Sequence, residues 1–89
     1  MNLWIRSQDR LILEKVERIK IINRNEKDYI YYDIHCKFEN TTNFAYERMG
    51  AYKTKERALE VLDEIQALLI NQCVPPELKL YEMPKKWGE

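Results

Sequence analysis

The stretch from Met49 to Arg57 concentrates residue types that can hold an anion. Six of its residues form our candidate ligand-binding site: Arg57, Lys53, Tyr52, Gly50, Ala51 and Thr54. The glycine and alanine offer backbone N–H groups with little side-chain cover, and the two cations offer positive charge. A guanidinium binds phosphate through two parallel hydrogen bonds, and a tyrosine ring can stack on a base. The stretch also leads into a predicted helix, whose N-terminus favours anions. It therefore predicts a phosphate or nucleotide site.

The same residues have an ordinary structural interpretation, which the sequence leaves open. Thr54 has the residue type and position of a helix N-cap. Tyr52 then lies half in the core, and the cations at positions 53, 55 and 57 are solvated. Turns from a strand into a helix are common without ligands.

A second group of reactive side chains lies in the most regular strand pattern of the chain. His35 and Cys36 are adjacent, so a strand points them to opposite faces, and they cannot form a dyad. Cys36 shares the apolar parity and is predicted to be a buried thiol. Asp33 and His35 share the polar face, where they form either a base with its orienting carboxylate or a plain cross-strand pair.

No motif in the chain defines a reaction. Ser7 is the only serine and lacks the glycines of a nucleophile elbow. Two cysteines and one histidine are too few for a four-ligand zinc site without carboxylates or a second chain. We therefore predict no catalytic residue, no metal site and no cofactor.

Four strands and one helix are expected to position these residues. The strands are predicted at 3–6, 11–22, 29–39 and 43–52, with turns at 8–10, 23–28 and 40–43. The segment 11–22 also has partial helical spacing, and its dense β-branched residues favour a strand. A bulge or a close backbone approach is predicted at Gly50.

The segment from Thr54 to Asn71 is the predicted helix. Glu56 lies in its first turn, where the dipole favours an anion, and the helix is expected to end before Pro75. One apolar stripe faces the core: Ala58, Val61, Leu62, Ile65, Leu68 and Leu69. Leu78 to Tyr81 in the tail is either a short edge strand or an arm on a neighbouring subunit.

These elements predict one α+β domain. Residues 1–52 form an antiparallel four-stranded meander, residues 53–72 form one long helix packed on one face, and residues 73–89 form an extended tail containing prolines. A chain of 89 residues is long enough for one core only. So small a domain buries a limited share of its surface, which favours a homo-oligomer with Trp4 and Trp87 at subunit contacts.

The composition excludes several classes of function. Lys plus Arg and Asp plus Glu both number 15, so no net charge attracts nucleic acid or an anionic membrane. Lys85, Lys86 and Trp87 form only a short basic cluster. No apolar run approaches the roughly 20 residues of a membrane helix, and the N-terminus lacks a signal-peptide pattern. The expected location is the cytoplasm.

Two parts of the chain carry a family resemblance. One is Ile5-Arg6-Ser7-Gln8-Asp9, and the other runs from Gly50 through Tyr52, Thr54 and Glu56-Arg57-Ala58 to Ile65, with Tyr81 to Pro84 beyond it. The chain resembles small accessory proteins of Gram-positive bacteria and their phages, which share this start and this helix entry. The resemblance implies a non-catalytic accessory role, and by analogy a sponge for nucleotide signals of the anti-Thoeris kind.

The sequence therefore leads to three hypotheses for the function. The first is a homo-oligomeric, non-enzymatic phage anti-defence protein that sequesters a small anionic cyclic nucleotide in the host cytoplasm. The second is a protein inhibitor or adaptor that docks through the strand face of Tyr29, Tyr31 and His35. The third is an enzyme acting on a nucleotide through Asp33, His35 and a nearby carboxylate.

Overall fold

The protein folds as a five-stranded sheet with one long helix against one of its faces. The computed structural model describes residues 3–39 and 45–85. The strands are β1 (Trp4–Arg6), β2 (Leu13–Glu26), β3 (Tyr29–Phe38), β4 (Glu47–Tyr52) and β5 (Leu80–Glu82). Helix α1 (Lys55–Ile70) follows β4, and a single 3-10 turn (Pro76–Leu78) precedes β5.

The α+β class is confirmed, but the predicted sheet is wrong in one respect. The strand order is β4-β3-β2-β1-β5, so the sheet has five strands and is not confined to residues 1–52. The last strand lies parallel to β1 and antiparallel pairing joins the others, which makes the sheet mixed. The proline-containing segment after α1 is long enough to bring the chain back to the β1 edge.

The segment 11–22, which was ambiguous in sequence, is mainly strand. The strand begins at Leu13 and continues to Glu26, so the predicted turn over 23–28 is wrong for its first four residues. Antiparallel pairing with β3 extends to Glu26 opposite Tyr29, which leaves Lys27 and Asp28 as a two-residue turn. Such short turns suit the twist of paired strands, so the hairpin closes tightly.

The alternation of β3 is confirmed over its second half and fails at two positions. Ile34, Cys36 and Phe38 are buried on the helix side, as predicted. Ile30, near the turn of the β2–β3 hairpin, is exposed. Asp33 was expected to face solvent, yet only 1% of its surface is exposed.

Both the bulge and the close backbone approach that were predicted at Gly50 are confirmed. Ile34 lies opposite Gly50 while His35 lies opposite Arg48, so Met49 is the extra residue of a bulge. A Cβ atom at Gly50 would lie 3.0 Å from the Tyr52 hydroxyl oxygen and 3.1 Å from its ring. The glycine is needed because the tyrosine ring passes directly over the backbone.

Helix α1 matches its prediction closely. The Thr54 hydroxyl accepts a hydrogen bond from the Arg57 backbone N–H at 3.1 Å, which makes Thr54 the N-cap. Ala58, Val61 and Ile65 are buried, and the other residues of the stripe are partly buried. The helix ends at Ile70, ahead of the two prolines at 75 and 76.

Hydrogen bonds link the two opposite sides of the sheet to one another. The Gln8 backbone N–H, in the turn after β1, donates to the carbonyl of Met49 in β4 at 2.7 Å. The Tyr52 hydroxyl donates to the carbonyl of Pro84, beyond β5, at 3.1 Å. The sheet therefore curls, and its interior is filled from the helix side by a single core.

Candidate functional site

The structure engages most residues of the predicted helix-start site in structural roles. The Ala51 N–H donates to Oε1 of Gln8 at 3.0 Å, and Gly50 is buried beneath Tyr52. Thr54 caps the helix. These groups already have protein partners, so they offer an incoming ligand less than their residue types suggest.

The aromatic ring and the guanidinium of that site are also engaged. Tyr52 is fully buried, and this burial raises the pKa of its hydroxyl to about 12. A ring enclosed in this way cannot stack on a base, which corrects that part of the prediction. Arg57 Nη1 bonds Glu60 Oε2 at 3.1 Å, and its Cζ lies 5.9 Å from the centre of the Tyr52 ring. Lys53 is exposed.

The polar face of β3 holds a buried carboxylate in an ion-pair cluster. Arg24 Nε donates to Asp33 Oδ2 at 2.7 Å, and its Cζ lies 4.6 Å from the centre of the Tyr31 ring. Hydrogen bonding to Asp33 raises the pKa of Arg24 further. His35 Nε2 lies 3.5 Å from the same carboxylate oxygen, too far for a hydrogen bond. Arg24 is therefore the main partner of Asp33, and the carboxylate is held in this ion pair.

A different part of the chain brings cations together around an open pocket. Arg6, Arg10 and Lys85 line a pocket of about 350 Å³ between the β1–β2 turn and the segment from Met83 to Lys85. We call it the cationic pocket. Glu82 also lines it. None of the three cations forms an ion pair with another residue of 3–39 or 45–85.

The floor of the cationic pocket is a tightly bonded turn. The Ser7 hydroxyl donates to Asp9 Oδ1 at 2.5 Å and accepts from the Ile12 N–H at 3.1 Å. The hydrogen bond from Ser7 is the main reason why the pKa of Asp9 lies below its usual 3.8. Arg10 closes the turn with φ 69, in the left-handed region that a side chain other than glycine rarely occupies. This conformation fixes the position of the Arg10 backbone at the pocket.

Gln8 ties the pocket's outer wall to the rest of the sheet. Its Nε2 lies 3.1 Å from the Pro84 carbonyl and 3.3 Å from the Lys85 carbonyl. The same nitrogen lies 3.2 Å from the carbonyl of Ala51, whose N–H donates to the other end of the amide. One side chain thus joins β4 to the C-terminal segment. The wall that carries Lys85 therefore depends on residue 8.

Sequence reasoning missed the residues of the cationic pocket. The available signal was the segment from Ile5 to Asp9, which contains Arg6, Ser7 and Gln8. Their convergence with Lys85 depends on β5 returning beside β1, which local patterns do not encode. The other basic residue named with Lys85, Lys86, and the tryptophan at 87 lie outside the described residues, as does the predicted turn over 40–43.

The structure also bears on the two thiols, on a metal site and on a membrane helix. Cys36 is buried and Cys73 exposed, both as free thiols, and burial raises the pKa of Cys36 to about 12. Over residues 3–39 and 45–85, no three His, Cys, Asp or Glu side chains cluster in a way that could hold a metal ion. No helix in the same ranges is both long and apolar enough to cross a membrane.

Comparison with protein-family models, curated proteins and solved structures finds no match.

Proposed function

We propose that the protein binds a small phosphate-bearing ligand without transforming it, and that the cationic pocket is the binding site. One observation carries this proposal. Three cations without carboxylate partners among the described residues converge on a single pocket of about 350 Å³. Its size lies at the lower end of the roughly 300–1,000 Å³ typical of small-molecule sites.

The charge of the pocket favours an anion although the whole chain is neutral. Three cations against Glu82 leave a local excess of positive charge. Two of the three are guanidinium groups, whose paired donors match the oxygens of a phosphate. Charge concentrated in a concave surface also speeds the approach of an anionic ligand.

The chemistry of these side chains supports binding more than catalysis. Guanidinium and ammonium groups supply positive charge and hydrogen-bond donors but no acceptor, which suits the binding of an anion. The Ser7 hydroxyl is buried and also accepts a hydrogen bond from the Ile12 N–H, so it is held within the turn. Asp33 and His35, the residues of the enzyme hypothesis, do not line the cationic pocket.

We further propose that the ligand is a cyclic nucleotide signal of bacterial immunity, held away from its effector in the host cytoplasm. This step is supported by the resemblance of the Ile5–Asp9 start to phage accessory proteins, because that start supplies Arg6, Ser7 and Gln8. Sequestration requires tight binding and slow release, and it requires no reaction. The protein is then a phage anti-defence factor.

Native mass spectrometry tests this proposal. The probes are inorganic phosphate, cyclic dinucleotides and cyclic ADP-ribose isomers, each added to the wild type, to an Arg6→Ala/Arg10→Ala variant and to Arg57→Ala. We expect the wild type and Arg57→Ala to retain one of the nucleotides, and the double variant to lose it. The nucleotide should have an unchanged mass after long incubation and release.

Each other outcome contradicts a defined part of the proposal. Loss of binding in Arg57→Ala alone would move the site back to the helix start. A changed ligand mass, prevented by His35→Ala, would indicate an enzyme. A wild type that retains none of the probes would remove the proposed ligand class.

A second candidate function is docking on a host protein through the tip of the β2–β3 hairpin. Tyr29 is 64% exposed there, and its ring centre lies 6.1 Å from that of Tyr31. Exposed aromatic pairs are typical of protein interfaces. Affinity capture with wild type and Tyr29→Ser tests it. A stoichiometric partner that binds only the wild type is expected if the hairpin docks, and equal capture by both would exclude the hairpin.

A further inference from the structure

We infer that the β1–β5 edge of the sheet is covered by the same edge of a second copy, which makes the protein a two-fold symmetric dimer. The surface consists of Trp4, Leu13, Leu78 and Leu80, and we call it the apolar edge patch. These four residues, together with Glu77 and Lys79, line a shallow groove of about 260 Å³. The inference does not depend on the cationic pocket binding a ligand.

Strand register places the apolar edge patch on the face of the sheet that α1 does not cover. Trp4 lies opposite Leu80, and Arg6, two residues further on the same face, lies opposite Leu13. Ile5 points the other way and is fully buried. The patch therefore has no covering element within the described residues, although it is built from large apolar side chains.

These four exposed apolar side chains lie together, whereas exposed apolar residues on a protein surface are usually scattered singly. Trp4 is 39% exposed and Leu78 is 68% exposed, with Leu13 and Leu80 between them. Together they present on the order of 400 Å² of apolar surface, within the range at which a patch marks an interaction site. That area is about half of the roughly 800 Å² that each partner contributes to a standard interface. The polar rim that surrounds the apolar centre of such an interface would supply the remainder.

A second copy is the occupant that the edge fits best. A two-fold axis brings the same patch onto itself, so apolar surface meets apolar surface without a new partner. The chain has no net charge, so two copies approach without overall repulsion.

Analytical ultracentrifugation over a range of protein concentrations tests the inference. We expect the wild type to sediment as a dimer of 10.9 kDa chains at micromolar concentration. Leu78→Glu, outside the strands, should weaken dimerisation at least 100-fold, since it places a charge in the interface on both sides. The matched control is Ile70→Glu, which changes an equally exposed apolar residue (71%) at the helix end and should leave the dimer intact.

Two results would overturn the inference. One is a wild type that remains a monomer at all concentrations up to about 1 mM. The other is a dimer that Leu78→Glu and Leu13→Glu leave unchanged, which would place the interface elsewhere. Circular dichroism of each variant confirms that it is folded. Phosphate binding by the monomeric variants separates this test from that of the proposed function, because none of the patch residues lines the cationic pocket.

Discussion

The two turns that carry cations in this protein look alike in sequence and differ in structure. One leads from β4 into α1 and, together with the first turn of that helix, contains Thr54, Lys55 and Arg57. The other leads from β1 into β2 and contains Ser7 and Arg10. In each, a hydroxyl side chain accepts a hydrogen bond from a nearby backbone N–H. Within residues 3–39 and 45–85, however, only the first of these bonds its arginine to a carboxylate, Glu60.

The difference shows that a candidate site is defined by unpartnered groups more than by residue types. At the helix start, the Thr54 hydroxyl caps α1 and the Arg57 guanidinium pairs with Glu60. At the β1–β2 turn, the backbone is closed by Ser7 and Asp9, and the cations of the cationic pocket are left without carboxylate partners among the described residues. Sequence patterns report which donors exist, and the fold decides which of them stay available.

The largest effect should follow from removing the Gln8 amide. Gln8→Ala leaves the N–H and C=O of Ala51 and two carbonyls of the C-terminal segment without this partner. We expect the free energy of unfolding to fall by about 3 kcal/mol and phosphate binding to be lost with it. Urea denaturation measures the first quantity. Gln66→Ala, on the exposed side of α1, is the control, and equal stability of the two variants would contradict the role of Gln8.

An intermediate effect should separate stability from binding at Arg10. Arg10→Gly relieves the left-handed backbone at φ 69, so we expect a net stabilisation of about 0.5–1 kcal/mol. The same change removes a guanidinium from the cationic pocket and should weaken phosphate binding about fivefold. Arg10→Ala is the matched control, since it removes the charge but keeps the strain. A glycine variant that is less stable than the alanine variant would contradict the assignment.

The smallest effect concerns the pH dependence of the β1–β2 turn. The pKa of Asp9 is lowered in the folded state, chiefly by the hydrogen bond from Ser7. Its ionised form therefore supports the turn above the usual pKa of 3.8, and this support is lost as the pH falls through the lowered value. We expect an NMR titration of the Asp9 carboxyl carbon to have its midpoint below 3.8. In Ser7→Ala the midpoint should move upward, and an unchanged midpoint would contradict the role of Ser7.

The fold was more predictable than the site, for a physical reason. Period-two alternation over the second half of β3 and the apolar stripe of α1 are local signals, and both match the structure. The Thr54 cap and the bulge at Gly50 were likewise readable from neighbouring residues. The parallel β5 and the burial of Asp33 depend on contacts between distant segments, which no local pattern contains. The convergence of Arg6 with Lys85 is of this second kind.

Mapping a bound anion onto the backbone tests the central claim most directly. We would record amide correlation spectra of the full chain while titrating inorganic phosphate and then the retained cyclic nucleotide. If the cationic pocket is the site, the largest shifts should fall on residues 6–10 and on Lys85, with little change at 53–58. The largest shifts at 53–58, with none around Arg10, would contradict the account and return the site to the start of α1.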